Sequence, residues 1–154
     1  MRTRAARKKG SVMVEMALAS SILLPLLLGA FQFGYQLYNY NRLCTAVNEG
    51  ARYASMRTYR CLDSSSVEHV KSGIRNMVAY GTPDPAEGAI PVLPGFTSNK
   101  VSVEYSTTAS GVPTRVRVGI TSFTIDTVVG KFTFNAKPAI SYDYLGRYAP
   151  EETE

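Results

Sequence analysis

The chain has 154 residues, with 17 lysines and arginines against 12 aspartates and glutamates, and a formal net charge of +5. Five of the basic residues lie in residues 1–10, so the rest of the chain carries 12 basic and 12 acidic residues. Because nucleic-acid binding needs positive charge clustered on a folded face, we expect no nucleic-acid partner.

A basic leader precedes a membrane-length apolar segment. Residues 1–10 contain no acid, and after Glu15 the next charged residue is Arg42. The stretch Met16–Tyr35 can cross a bilayer, since about 20 apolar residues span the hydrocarbon core. A buried core helix and a cleaved secretory signal are the alternatives. The apolar run is longer than a buried core helix normally shows, and a secretory signal has an apolar region of only about 7–15 residues.

We therefore predict a single membrane span at about residues 14–36. Excess lysine and arginine marks the cytoplasmic side of a span, so the N-terminus should lie in the cytoplasm. The expected organisation is a cytoplasmic leader (1–10), an N-terminal helix (11–60) and an extracytoplasmic head (61–154).

Glu15 lies near the start of the apolar run, where a charged side chain is energetically unfavourable. It is either an ordinary first-turn acid favoured by the helix dipole, or a group with a partner. A chain cut after Gly10 would begin with an ammonium group at Ser11, and the ammonium of one subunit could pair with Glu15 of its neighbour. An unpaired ion inside a membrane costs about 2.5 kcal/mol or more, so such pairing would select one register.

Two stretches and one motif resemble a known family. Gly10 and Glu15 match the Gly-x-x-x-x-Glu processing signature of type IV prepilins. Residues 14–34 and 46–54 resemble the TadE-like proteins of tight-adherence pilus systems, which are pilin-like minor subunits or pseudopilins. The resemblance extends over about residues 8–55.

The resemblance implies a structural protein in the bacterial cytoplasmic membrane and not an enzyme. A prepilin peptidase would cleave after Gly10, making Ser11 the mature N-terminus and Glu15 the assembly acid. The other implied partners are pilin-like subunits and the pilus assembly machinery, in a system for surface attachment. A main filament subunit and an uncleaved single-pass binding module are the alternatives, and the sequence leaves open whether the subunit enters the extracellular pilus.

An amphipathic pattern continues beyond the span. Apolar and small residues recur at spacings of three and four, which indicates a helix face for close packing. This face can cover the protein's own head or contact a neighbouring subunit. Its members are Leu37, Tyr40, Cys44, Val47, Ala51 and Ala54. We expect Asn39 and Arg42 on the opposite, polar face.

The remaining residues predict an α+β head, with one helix packed on an antiparallel sheet. Capping-box spacing at Ser65–Glu68 begins a helix that ends at Gly81, and the proline-rich stretch 81–98 should be a loop. Alternating apolar residues then predict strands. Their positions are Val101 to Tyr105, Val116 to Ile120 with Phe123 and Ile125 as an extension or bulge, Phe132 to Phe134, and Ile140 to Tyr144.

The sequence contains little that could support catalysis. His69 is the only histidine and falls in the predicted helix. Two cysteines and one histidine do not form a zinc site, so we expect no metal, cofactor or small-molecule substrate. A disulfide between Cys44 and Cys61 needs the chain to turn back, because a straight helix would separate them by about 25 Å and a bridge tolerates about 7 Å. A packed Cys44 with a free or intermolecular Cys61 is the alternative.

Overall fold

The computed structural model describes residues 3–57, 64–109, 112–127 and 130–147, and its fold is α+β. A long helix, α1 (Thr3–Met56), precedes a head that contains α2 (Ser64–Tyr80), a 3-10 turn (Ser98–Lys100) and a set of antiparallel strands. The strands are β1 (Val101–Thr107), β2 (Pro113–Ile120), β3 (Ser122–Thr127), β4 (Gly130–Asn135) and β5 (Ala139–Asp143). The expected fold class is confirmed.

Helix α1 is one unbroken element. Its sequence is rich in alanine and leucine, which favour helix, and Pro25 lies inside it. A proline removes one backbone hydrogen bond, and membrane helices tolerate this where local adjustment satisfies the freed carbonyl. The helix therefore joins the exposed apolar segment directly to the head.

Helix α2 packs against the C-terminal part of α1. It ends at Tyr80 because Gly81 has a φ of 75°, a left-handed conformation that glycine adopts without steric cost. The Gly81 amide donates to the Met77 carbonyl at 2.9 Å. The stretch from Gly81 to Thr97 is free of helix and strand, as its prolines predicted.

Three strands form the main sheet, in the order β1–β2–β5, and all pairs are antiparallel. Val103 lies opposite Val118 on one side, and Val118 lies opposite Ile140 on the other. Gly119 allows the β5 strand to approach closely, since a Cβ there would lie 2.9 Å from the Ala139 Cβ.

The prediction that Phe123 and Ile125 extend or bulge the second strand is wrong. They belong to β3, which pairs with β4 in a separate two-stranded hairpin. The chain leaves the main sheet at Thr121, whose amide donates to the Lys100 carbonyl at 2.8 Å. We call the described residues 122–127 and 130–135 the β3–β4 hairpin.

One hydrophobic core holds these layers together. It lies where α1, α2, the 81–98 loop and the main sheet meet, and it also includes one ring from each strand of the β3–β4 hairpin. The buried members are Leu43, Ala46, Val47, Ala51, Ala54, Ile74, Val78, Ala79, Leu93, Phe96, Val101, Val103, Val116, Val118, Ile120, Phe123 and Phe134.

Candidate functional site

The candidate processing residues lie on a continuous helix. Gly10, Ser11 and Glu15 are all exposed, and a Cβ placed on Gly10 would meet nothing within 4 Å. Four helical residues rise about 6 Å and return close to the same face. Ser11 and Glu15 therefore point to one side, and no part of the described head covers them.

The apolar surface on both sides of Glu15 is exposed along its length. Its large side chains are more than half exposed from Val12 to Phe33. Within the described residues, α1 is the one helix long and apolar enough to cross a membrane, and none of its most apolar window is buried by the head. This surface fits a membrane anchor, because water contact with so large an apolar area is unfavourable.

The predicted packing face divides into two parts. Val47, Ala51 and Ala54 are fully buried in the core. Leu37 is 50% exposed, and Tyr40 is only partly covered. The C-terminal part of this face is thus buried under the protein's own head, and Leu37 remains accessible.

Five buried positions of α1 lie outside the predicted packing face, namely Asn39, Leu43, Ala46, Gly50 and Ser55. Leu43 and Ala46 are buried with Val47, and their spacing of three and four was a detectable signal. Asn39, which was expected on the polar face, is only 3% exposed. In the described part of the chain, its amide nitrogen has no hydrogen-bond partner.

Cys44 lies beside Tyr40 on the same helix. Among the described residues its thiol forms no disulfide, and a hydrogen bond with this sulfur raises the pKa of the Tyr40 phenol. Cys61 lies outside the described residues, so the bond between Cys44 and Cys61 stays a prediction.

The β3–β4 hairpin faces α1 across an apolar groove. Tyr40 of α1 stacks on Phe134 of β4, with ring centroids 5.7 Å apart and planes at 21°. Phe132 meets Phe134 edge to face at 4.9 Å. The groove has a volume of about 510 Å³ and is lined by Phe33, Gln36, Leu37, Tyr40, Phe132, Thr133, Phe134, Asn135 and Lys137.

His69 lies on the exposed face of α2. It lines a wide surface cleft together with Arg57 and Asp84. In the part of the chain where side chains are described, no three histidine, cysteine, aspartate or glutamate residues cluster as metal ligands. The described residues do present two apolar surfaces, namely the exposed face of α1 and the groove beside the hairpin.

The comparisons with known proteins concern the long helix α1. The model of the TadE-like protein family matches residues 10–52, which begin at the candidate cleavage residue and end in the buried part of α1. No curated protein and no solved structure matches the chain. The similarity thus covers the N-terminal helix, and the head lies outside it.

Proposed function

We propose that this TadE-like protein is a minor pilin or pseudopilin that acts in the assembly of a tight-adherence pilus and in surface attachment. The observation that carries the proposal is the coincidence of the family match, residues 10–52, with the exposed apolar length of α1. Both observations are expected of a pilus-associated, pilin-like protein with an N-terminal membrane helix.

The proposed orientation follows from the charge of the leader. Arg2, Arg4, Arg7, Lys8 and Lys9 precede the span, and such residues remain in the cytoplasm. The head then lies outside the cytoplasm, in the compartment where a disulfide can persist.

The first proposed step is proteolysis by a prepilin peptidase. Water cleaves the peptide bond between Gly10 and Ser11, which leaves a carboxylate on Gly10 and an ammonium group on Ser11. Support comes from the lack of a side chain at Gly10, the exposure of this residue and the acid at the signature distance, Glu15.

The second proposed step is registration of neighbouring helices. The Ser11 ammonium of one subunit meets the Glu15 carboxylate of the next, so both ions gain a partner in a medium where an unpaired charge is costly. This pairing favours one axial offset more than it adds net stability. The apolar side chains between Val12 and Phe33, which the head leaves exposed, supply the packing area around it.

Two other roles are compatible with the same helix. A main filament subunit would use the same cleavage and pairing but would be the abundant protein of the fibre. An uncleaved membrane-anchored binding module would keep Met1 and would need no partner for Glu15. Each predicts a different composition of the isolated pilus.

Co-purification tests the proposal. The full-length chain, tagged at its C-terminus and expressed in its own bacterium, is cross-linked in membranes and isolated together with its partners. We expect other pilin-like subunits and assembly components to be isolated with the protein from the membranes. In the shed pilus, we expect the other pilin-like subunits in amounts well above that of this protein. Equal abundance in the fibre favours the main-subunit role, and recovery without pilin-like partners contradicts an assembly role.

A further inference from the structure

The groove between α1 and the β3–β4 hairpin has exposed apolar side chains on both walls. Its helix wall is one ridge of α1, on which Phe33, Leu37 and Tyr40 follow one another at spacings of four and three. Phe33 is 69% exposed and Leu37 is 50% exposed. The hairpin wall contains Phe132, which is 43% exposed, and Phe134, whose ring stacks on Tyr40. The helix wall thus extends over about two helical turns, a rise of about 10 Å.

The helix wall of the groove is part of a longer seam on α1. Apolar residues alternate along this seam at spacings of three and four, as they do where two helices pack side by side. From Val47 onward the seam is buried under the protein's own head. Toward the N-terminus it continues through Ala30, Leu26 and Leu23, which are all exposed. The seam is therefore covered at its C-terminal end and open from Leu23 to Leu37.

The open part of the seam determines the shape of a partner that covers it. From Leu23 to Tyr40 the helix rises about 26 Å, and no residue between Glu15 and Arg42 is charged. A partner that lies along this length must be a long, uncharged and apolar element. Because the seam has the spacing of knobs that pack between helices, the element that fits is an α-helix. The groove then holds part of this helix between α1 and the hairpin.

The family match indicates which proteins can supply such a helix. Residues 10–52 match the TadE-like family model and contain the helix wall of the groove, whereas the hairpin lies outside the match. Another subunit of this kind therefore presents a similar helix. A second copy of this chain would also present one, but its residues 16–41 bring no acid to Lys137, which is exposed at the groove. Charge complementarity favours a different subunit.

We propose that the groove between α1 and the β3–β4 hairpin receives the N-terminal helix of a neighbouring, different pilin-like subunit. The proposal rests on the proposed function and names the surface at which the assembly contact is made. The seam of α1 supplies the part of the contact that matches the family. The hairpin supplies contacts particular to this chain, so it discriminates between helices that fit the groove and helices that do not.

Site-specific photo-cross-linking in living cells tests the proposal. The photoreactive residue p-benzoylphenylalanine replaces Phe132 in the full-length chain, which is tagged and expressed in its own bacterium. The same residue at Lys137 is a second groove probe if the first variant is unstable. Probes at Leu24, in the apolar segment, and at Leu145, which is 78% exposed beyond β5, report contacts outside the groove. Mass spectrometry identifies the partner and the cross-linked peptide in each intermolecular adduct.

We expect both groove probes to form an adduct with the apolar N-terminal helix of a different subunit that carries its own Gly-x-x-x-x-Glu signature. The Leu145 probe should not form this adduct. Leu37→Trp, which fills the groove, should lower the yield of the adduct about tenfold, because overfilled contacts are unfavourable. Tyr38→Trp is the matched control, since Tyr38 is 57% exposed and does not line the groove. It should leave the yield unchanged.

Three results would overturn the proposal while leaving the proposed function in place, provided that the Leu24 probe forms adducts with pilin-like subunits. The first is groove probes that form no protein adduct or react only with lipid. The second is adducts with a second copy of this chain or with the head of another protein. The third is an adduct whose yield Leu37→Trp does not lower. Failure of the Leu24 probe and both groove probes to react with any pilin-like subunit would contradict the proposed function as well.

Discussion

Gly50 of α1 lies directly against Val78 of α2, and a Cβ at position 50 would overlap the Val78 side chain. Both residues are buried, so the two helices approach at a point where only glycine fits. Gly50 belongs to the segment that matches the TadE-like family model, residues 10–52. The part of α1 that matches the family model thus contains the contact at which the head packs on the helix.

The first prediction concerns this contact. Gly50→Ala should lower the free energy of unfolding by about 1–3 kcal/mol, because the added methyl group forces the helices apart in a packed core. Thermal unfolding of the full-length protein in detergent measures the effect. Gly34→Ala is the matched control, since a Cβ there meets nothing within 4 Å and alanine favours helix. Equal melting temperatures for the two variants would contradict the contact.

The second prediction concerns the attachment of the last strand. The Tyr142 hydroxyl of β5 donates to Asn48 Oδ1 of α1 at 2.7 Å. Tyr142→Phe should cost about 0.5–1.5 kcal/mol, the usual net value of one hydrogen bond. A double-mutant cycle with Asn48→Ala isolates the pair, and additive effects of the two substitutions would show that the bond contributes nothing.

The third prediction concerns the acid in the span. Glu15→Val should leave membrane insertion and the melting temperature of the head unchanged, because Glu15 is exposed and distant from the core. It should lower co-purification with pilin-like partners about tenfold or more, since the neighbour's ammonium is left unpaired in the membrane, which costs about 2.5 kcal/mol.

Glu15→Asp is the control for this variant, because it keeps the charge with a side chain that is one methylene shorter. We expect it to retain most of the co-purification. Normal pilus number and adherence in Glu15→Val cells would rule out registration by this carboxylate.

Local patterns predicted the helices and strands well. The apolar run, the spacing of Val70, Ile74 and Val78 on α2, and the alternation of Val101 and Val103 each depend on neighbours within a few residues. Gly81 likewise indicates the end of α2 without reference to the rest of the fold.

The arrangement of the β3–β4 hairpin could not be read from such patterns. Its strands alternate like the others, and the choice between extending β2 and forming a separate sheet depends on distant groups, such as the Lys100 carbonyl that holds Thr121. The burial of Asn39 also depends on contacts that are distant in sequence, because nothing near this polar residue in the sequence indicates that the head will cover it. The groove between the hairpin and α1 follows from these non-local contacts.

The most direct test of the account is the intact mass and N-terminal peptide of the protein extracted from its own membranes. We predict a mature chain that begins at Ser11, and a Gly10→Ala variant that accumulates with residues 1–10 attached. Gly29→Ala, at an equally open helix position, should be processed normally. A native protein that retains Met1, or a Gly10→Ala variant of normal mature mass, would contradict cleavage after Gly10.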